Sequence, residues 1–220
     1  MALIPPGFRI DLDEWSNILT SIVAIALSLT FASGGIQISP SEFVFLMIAF
    51  GITVGSGFLL HELAHKYTAI RFGLRARFEA WVWGLVLMLG LAIIPQLVGW
   101  GMFPLFLAPG AVMIYGNRQI SQKENGIISA AGPITNILLG LLFFALAVLI
   151  VGIGAFGTVI PYGETAAYVM LMGTQVNMFL ALFNLLPIFP LDGSKVFAWS
   201  WKIWLALFAI AFIGSGVFGF

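Results

Sequence analysis

From Phe43 to Leu60 the chain reads FVFLMIAFGITVGSGFLL, eighteen residues without a charged side chain. This run restricts the fold more than any other feature. As a helix it rises about 27 Å at ~1.5 Å per residue, close to the ~30 Å hydrocarbon thickness of a bilayer. Hydrocarbon offers no water to backbone N–H and C=O groups, so a run of this kind satisfies them internally, as a helix. Segments near 16–33, 43–70, 126–152, 163–186 and 194–218 qualify as spans, and 80–108 is a sixth apolar segment. Of the 220 residues 61% are hydrophobic and only 8% charged, whereas a soluble domain carries roughly 25% charged residues. The expected fold is therefore an all-α polytopic membrane protein. It has about six membrane segments, five spans plus a broken or re-entrant one, in a single domain over 1–220. A formal net charge of zero gives no footing for a nucleic-acid partner. The absence of cysteine excludes disulfides and thiolate metal sites. The N-terminal MALIPPGFRIDLDEW lacks the order of regions found in a signal peptide.

The cationic residues set the orientation. They are Arg9, Lys66, Arg71, Arg75, Arg77, Arg118, Lys123, Lys195 and Lys202, and the loops 33–42 and 152–164 hold none. By the positive-inside rule those two loops face outward and the cationic segments face the cytoplasm. Arg77 and Arg118 share a side only if the chain between them crosses an even number of times. Residues 80–108 are too few for two full spans, so a pair of half-helices is expected, turning at Pro95 and the GWG of 99–101. The alternative is one ordinary span, which places Arg118 and Lys123 outside.

The apolar run ends in HELAH. Both histidines of the chain, His61 and His65, lie four residues apart around Glu62. That spacing puts two imidazoles on one helix face, where they can share one zinc ion. Glu62 stands beside the metal, placed to take a proton from a polarised water and pass it to a leaving amine. The bland reading is a pair of buried histidines bonded to neighbouring helices. An open catalytic zinc site needs a third protein ligand, and no histidine or cysteine remains. The other carboxylates precede the first span, lie at outer helix ends or sit in cationic loops. Asp192 remains, in NLLPIFPLDGSKV, where Pro187 and Pro190 break a helix and Gly193 permits a bend.

HELAH followed by NLLPIFPLDG resembles the site-2 protease family of intramembrane zinc metalloproteases, in a compact form without a PDZ domain. Asn184, Pro187, Asp192 and Gly193 fall in register with the family's second signature, and Pro190 stands one position late. AAGPITN (130–136) resembles the family's G-P-x-x-N element. The likeness covers roughly 43–75 and 105–200, with a catalytic core of about 43–200. It implies that His61, His65 and Asp192 bind one zinc per chain and that Glu62 is the general base. It also implies that Asn184, with Asn136 as a second candidate, steadies the substrate peptide or its oxyanion. For Asn136 a plain interhelical hydrogen bond is the alternative.

The implied activity is proteolysis of transmembrane helices. The partners are then a transmembrane substrate and the lipid bilayer, in a prokaryotic cell membrane, with the active site toward the cytoplasm. An unwound substrate can add to a strand edge. LAPGAVMIYGNRQIS (107–121) is expected to supply a strand or short β-hairpin near the metal, against the alternative of a surface loop. Water is expected to enter past Lys66 and Arg71. Competing readings are a metal transporter, a zinc-binding scaffold without activity and a prenyl-protein protease. The sparse polar groups elsewhere in the spans, the presence of Glu62 and the proline-rich Asp192 segment weigh against them in turn.

Overall fold

The computed structural model describes residues 5–98, 109–116, 118–155 and 163–217. Helix α1 (Leu12–Gly34) opens on Asp11, whose carboxylate accepts the Glu14 N–H at 2.8 Å. Helix α2 (Pro40–Phe50) opens on Ser39, with Pro40 at its first position, where a missing N–H costs nothing. It passes through a π-helical stretch, Gly51–Gly55, into α3 (Ser56–Arg71), so one apolar rod carries HELAH in its last turns. Gly73, at φ +76°, ends that rod, and the Leu74 N–H folds back to the Ala69 carbonyl at 3.1 Å. A side chain disfavours this left-handed backbone. The turn sends strand β1 (Arg75–Ala80) back beside α3.

Next come α4 (Val82–Leu97) and strand β2 (Gly110–Tyr115), which pairs antiparallel with β1 from Arg75↔Tyr115 to Ala80↔Gly110. The strand expected in 107–121 is therefore present. It is not half of a local hairpin, however, because its partner lies 35 residues upstream in the register Arg75↔Tyr115 to Ala80↔Gly110. The fold is thus mostly helical with a two-stranded sheet, rather than all-α.

That pairing also bears on the apolar segment 80–108. The Trp81 N–H donates to the Pro109 carbonyl at 2.9 Å, so the segment's two ends meet at one end of the molecule. At the other end Gln96 reaches the Phe31 carbonyl near the close of α1, at 2.6 Å. The expected turn at Pro95 is not there: α4 runs through Pro95 to Leu97. Pro95 sits in the last turn, where only one backbone bond is lost. Residues 99–101, the other half of the expected turn, lie outside the described residues.

Helix α5 (Gln122–Ala155) packs along α3, α6 (Gly163–Asn184) and α7 (Asp192–Trp199). Its start is a reciprocal capping box: the Glu124 N–H donates to Ser121 Oγ, and the Ser121 N–H donates to Glu124 Oε2 at 3.0 Å. The span expected at 194–218 is divided. Ser200 is extended (φ −156°, ψ 102°) and separates α7 from α8 (Trp201–Val217). The bend lets Trp199 lie against Gly126 of α5, where any side chain would collide with it. Among the described residues four helices are long and apolar enough to cross a membrane, namely Leu12–Gly34, Pro40–Arg71, Gln122–Gly154 and Gly163–Asn184. Val82–Leu97 and Trp201–Gly216 are shorter apolar helices. The chain is an integral membrane protein.

Between α1, α3 and β1 the core holds Ile18, Ile25, Phe58 and Phe78 around a buried ion pair. Lys66 Nζ donates to both Glu14 oxygens, at 2.7 and 2.5 Å, and to the Arg9 carbonyl at 2.6 Å. The Phe78 N–H donates to Glu14 at 2.9 Å. Lys66 thus lines no water path, contrary to the expectation from its charge. Its four-carbon stem reaches Glu14 inside the protein, and both side chains are 2% exposed.

Candidate active site

His61 and His65 leave α3 on the face turned to α5, their rings nearly perpendicular with centroids 4.6 Å apart. Each Nδ1 faces an oxygen on α5: Asn136 Oδ1 at 2.5 Å for His61 and the Ile128 carbonyl at 2.7 Å for His65. A carbonyl only accepts, so Nδ1 carries the hydrogen, and in the neutral ring Nε2 keeps its lone pair. The two Nε2 atoms are 3.0 Å apart. Asp192 Oδ2 closes the triangle at 3.0 Å from His65 Nε2 and 3.3 Å from His61 Nε2.

Three lone-pair atoms turned toward one another repel unless a cation sits among them. For tetrahedral zinc with ligand bonds of about 2.05 Å, neighbouring donors lie about 3.3 Å apart, which this triangle approaches on every side. The space is kept by Gly132 on α5. A Cβ there would lie 2.5 Å from both Nε2 atoms. Two imidazoles, one carboxylate and a glycine cradle fit a zinc ion with an open position.

Asp192 is brought here by the break after α6. Gly193 serves this break through contact rather than through unusual dihedrals. A Cβ on it would strike the Leu185 backbone and come within 2.5 Å of the Leu186 carbonyl, and it is not among the positive-φ glycines. Lys195 stands 3.6 Å from the other Asp192 oxygen.

Glu62, His61, His65 and Asp192 line one cavity of about 550 Å³. Residues 109–114 form one wall, and Phe189–Asp192 with Asn184 form another. The sheet register fixes what β2 offers. The Trp81 N–H bonds to the Pro109 carbonyl, so 79↔111 and 77↔113 are the bonded pairs of the ladder by alternation. Residues 110, 112 and 114 therefore turn their N–H and C=O to the free edge. The Phe78 N–H, opposite Val112, points away to Glu14, as this alternation requires. Val112, with its backbone groups on this free edge, lines the same cavity as Glu62.

Asn184 lines the cavity and donates one N–H to the Leu180 carbonyl at 2.9 Å. Asn136 lies deeper and is fully buried. Its Nδ2 donates to the Gly57 carbonyl at 3.2 Å and to Asn177 Oδ1 at 3.1 Å. Both amide hydrogens are committed, which leaves no donor for an oxyanion. In the sequence Gly132 stands out only as the glycine of the G-P-x-x-N element, and Asn177 does not stand out, being one of three amide side chains of α6 with Gln175 and Asn184.

The model of peptidase family M50 matches residues 46–207, the stretch that carries every one of these groups. The chain belongs to peptidase family M50. This is the site-2 protease resemblance seen in the motifs. A Methanocaldococcus jannaschii protein provisionally named zinc metalloprotease MJ0611 is 35% identical over 207 residues, 94% of each chain. The Bacillus subtilis protein provisionally named zinc metalloprotease YwhC is 32% identical over 151 residues, 66% of this chain and 65% of that one. Mycobacterium tuberculosis Rip3, named in the same way, is 30% identical over 199 residues, 89% of this chain and 42% of its own. No solved structure matches the chain. Within the M50 family assignment, the donor set His61, His65 and Asp192 is the candidate zinc site.

Proposed function

We propose that the chain is an intramembrane zinc endopeptidase, with one zinc per chain, that hydrolyses peptide bonds in transmembrane helices of membrane-protein substrates. The observation that carries this is the closed triangle of His61, His65 and Asp192 with Glu62 beside it in a cavity walled by a free strand edge. Zinc held there supplies Lewis acidity toward a water and a substrate carbonyl.

The chain's own groups do the rest. His61, His65 and Asp192 hold the ion, and their outer partners orient the rings. Glu62 accepts the proton of the attacking water and returns it to the leaving amine. The free edge at 110, 112 and 114 receives an unwound substrate segment by strand addition, exposing carbonyls that a helix keeps in its own hydrogen bonds. Asn184 has a second amide hydrogen for the peptide or its oxyanion, a placement that favours it over Asn136, whose donors are occupied.

Helices α4 and α8 are read as shorter membrane segments beside the four long ones. The arginines of β1 and Arg118 lie at the same end of the fold as His61, His65 and Asp192, which supports an active site facing the cytoplasm. The archaeal and bacterial relatives favour a prokaryotic cell membrane.

The test is zinc content and cleavage of a reconstituted transmembrane substrate. Wild type is expected to hold about one zinc and to cut. Asp192→Ala is expected to lose the metal, whereas Glu62→Ala keeps it and cuts roughly 10²–10⁴-fold more slowly, the usual share of a general base. Wild-type cleavage by Glu62→Ala refutes the base assignment, and wild type without zinc refutes the metalloprotease.

A further inference from the structure

Thr53 and Gly173 present backbone carbonyls to one buried amide between the π-helical stretch and α6. Asn177 Nδ2 donates to both, at 3.3 and 2.9 Å. A carbonyl cannot donate, so these two contacts fix which end of the Asn177 amide is nitrogen. Its Oδ1 must then face Asn136, which donates to it at 3.1 Å. With its nitrogen turned that way and toward the Gly57 carbonyl, Asn136 presents Oδ1 to His61 Nδ1. His61 has one remaining solution, a hydrogen on Nδ1 and a lone pair on Nε2.

We infer that Asn177 is a positioning residue of the metal centre, acting through Asn136 to set the tautomer and ring orientation of His61. The inference rests on the zinc reading of that centre.

Several features fit this role. Asn177 is fully buried and faces no open part of the cavity. Gly57, one turn before His61, is where α3 comes closest to it, since any Cβ there would collide with Asn177 Oδ1. The relay starts in the π-helical stretch, whose wider turn alters the usual backbone bonding, and such stretches recur at functional sites. Asn136 has two anchors, the Gly57 carbonyl and Asn177. Without Asn177 one amide hydrogen of Asn136 has no acceptor, and the bond to His61 is held from one side only.

The experiment is a zinc-affinity cycle on the full chain in detergent, by competition with a chromophoric chelator. It uses Asn177→Ala in the wild-type background and in an Asn136→Asp background. A carboxylate at 136 accepts from His61 in either orientation, and having no hydrogen to donate it gains nothing from Asn177 Oδ1. Loss of an outer partner typically weakens metal binding 10–100-fold. With Gly57 still in place, Asn177→Ala is expected at the lower end, about tenfold, and below about threefold when Asp stands at 136. The cobalt-substituted absorption spectrum is expected to shift only in the single variant. Where Asn177→Ala fails to fold, Asn177→Leu fills the space and takes its place. Equal losses in both backgrounds, or no loss in either, overturn the role of Asn177. Wild type that takes up no zinc instead overturns the metal centre itself.

Discussion

Gly132→Ala adds one methyl group at the point where the two metal-facing nitrogens converge. The new Cβ would lie 2.5 Å from His61 Nε2 and His65 Nε2 and 2.6 Å from His61 Cε1. An ordinary carbon–nitrogen contact is about 3.4 Å, so relief requires a displacement of roughly 0.9 Å. The glycine lies inside a 34-residue helix packed on four others, and the imidazoles are the softer side of the contact. Forcing extra methyl volume into a packed site costs about 1–3 kcal/mol. If the rings yield, that cost falls on the metal-holding arrangement, and at about 1.4 kcal/mol per tenfold it weakens zinc binding about 5- to 140-fold. The assay is chelator competition on purified protein beside Gly140→Ala. There the Cβ would meet only the flexible end of Met178, 3.0 Å away, and zinc affinity is expected to stay within twofold. Zinc affinity unchanged in Gly132→Ala would refute the reading that the three donors converge on a cation in the space this glycine leaves.

The buried pair makes a second prediction. Lys66→Met strands the Glu14 carboxylate and is expected to cost about 3–5 kcal/mol, whereas Glu14→Gln with Lys66→Met recovers most of it. Thermal unfolding of both variants in detergent checks this, and an unchanged midpoint in the single variant contradicts it. Val112→Pro removes one N–H from the free edge and none from the β1–β2 ladder, a position where a strand tolerates proline. Cleavage is expected to fall roughly 2- to 12-fold, scaled from loss of one edge hydrogen bond to the substrate at about 0.5–1.5 kcal/mol, with zinc content unchanged. Full activity would show that this edge donor does not hold the substrate.

The family, the membrane setting and the grouping of His61, His65 and Asp192 were legible because they rest on short-range chemistry. Apolar runs declare helices in lipid through backbone hydrogen bonding alone. HELAH declares a ligand pair because four residues make nearly one turn. Asp192 followed by elimination, since so few carboxylates were left to choose from.

What the chain decided only on folding involves partners far apart in sequence. The partner of β2 is β1, on the far side of α4, because an edge's hydrogen bonds carry no local label. Lys66 read as a solvent-facing cation until α1 set Glu14 within its reach. Asn136 read as a candidate oxyanion donor, but its surroundings are supplied by α3 and α6, which take both of its amide hydrogens. The division of 194–218 at Ser200 comes with a long-range contact, Trp199 lying on the bare flank of Gly126 on α5. An apolar run ending in HELAH suffices to specify a membrane helix with two imidazoles on one face. Tertiary packing decided how each polar group there is satisfied, because a buried donor or acceptor finds its partner by proximity in space.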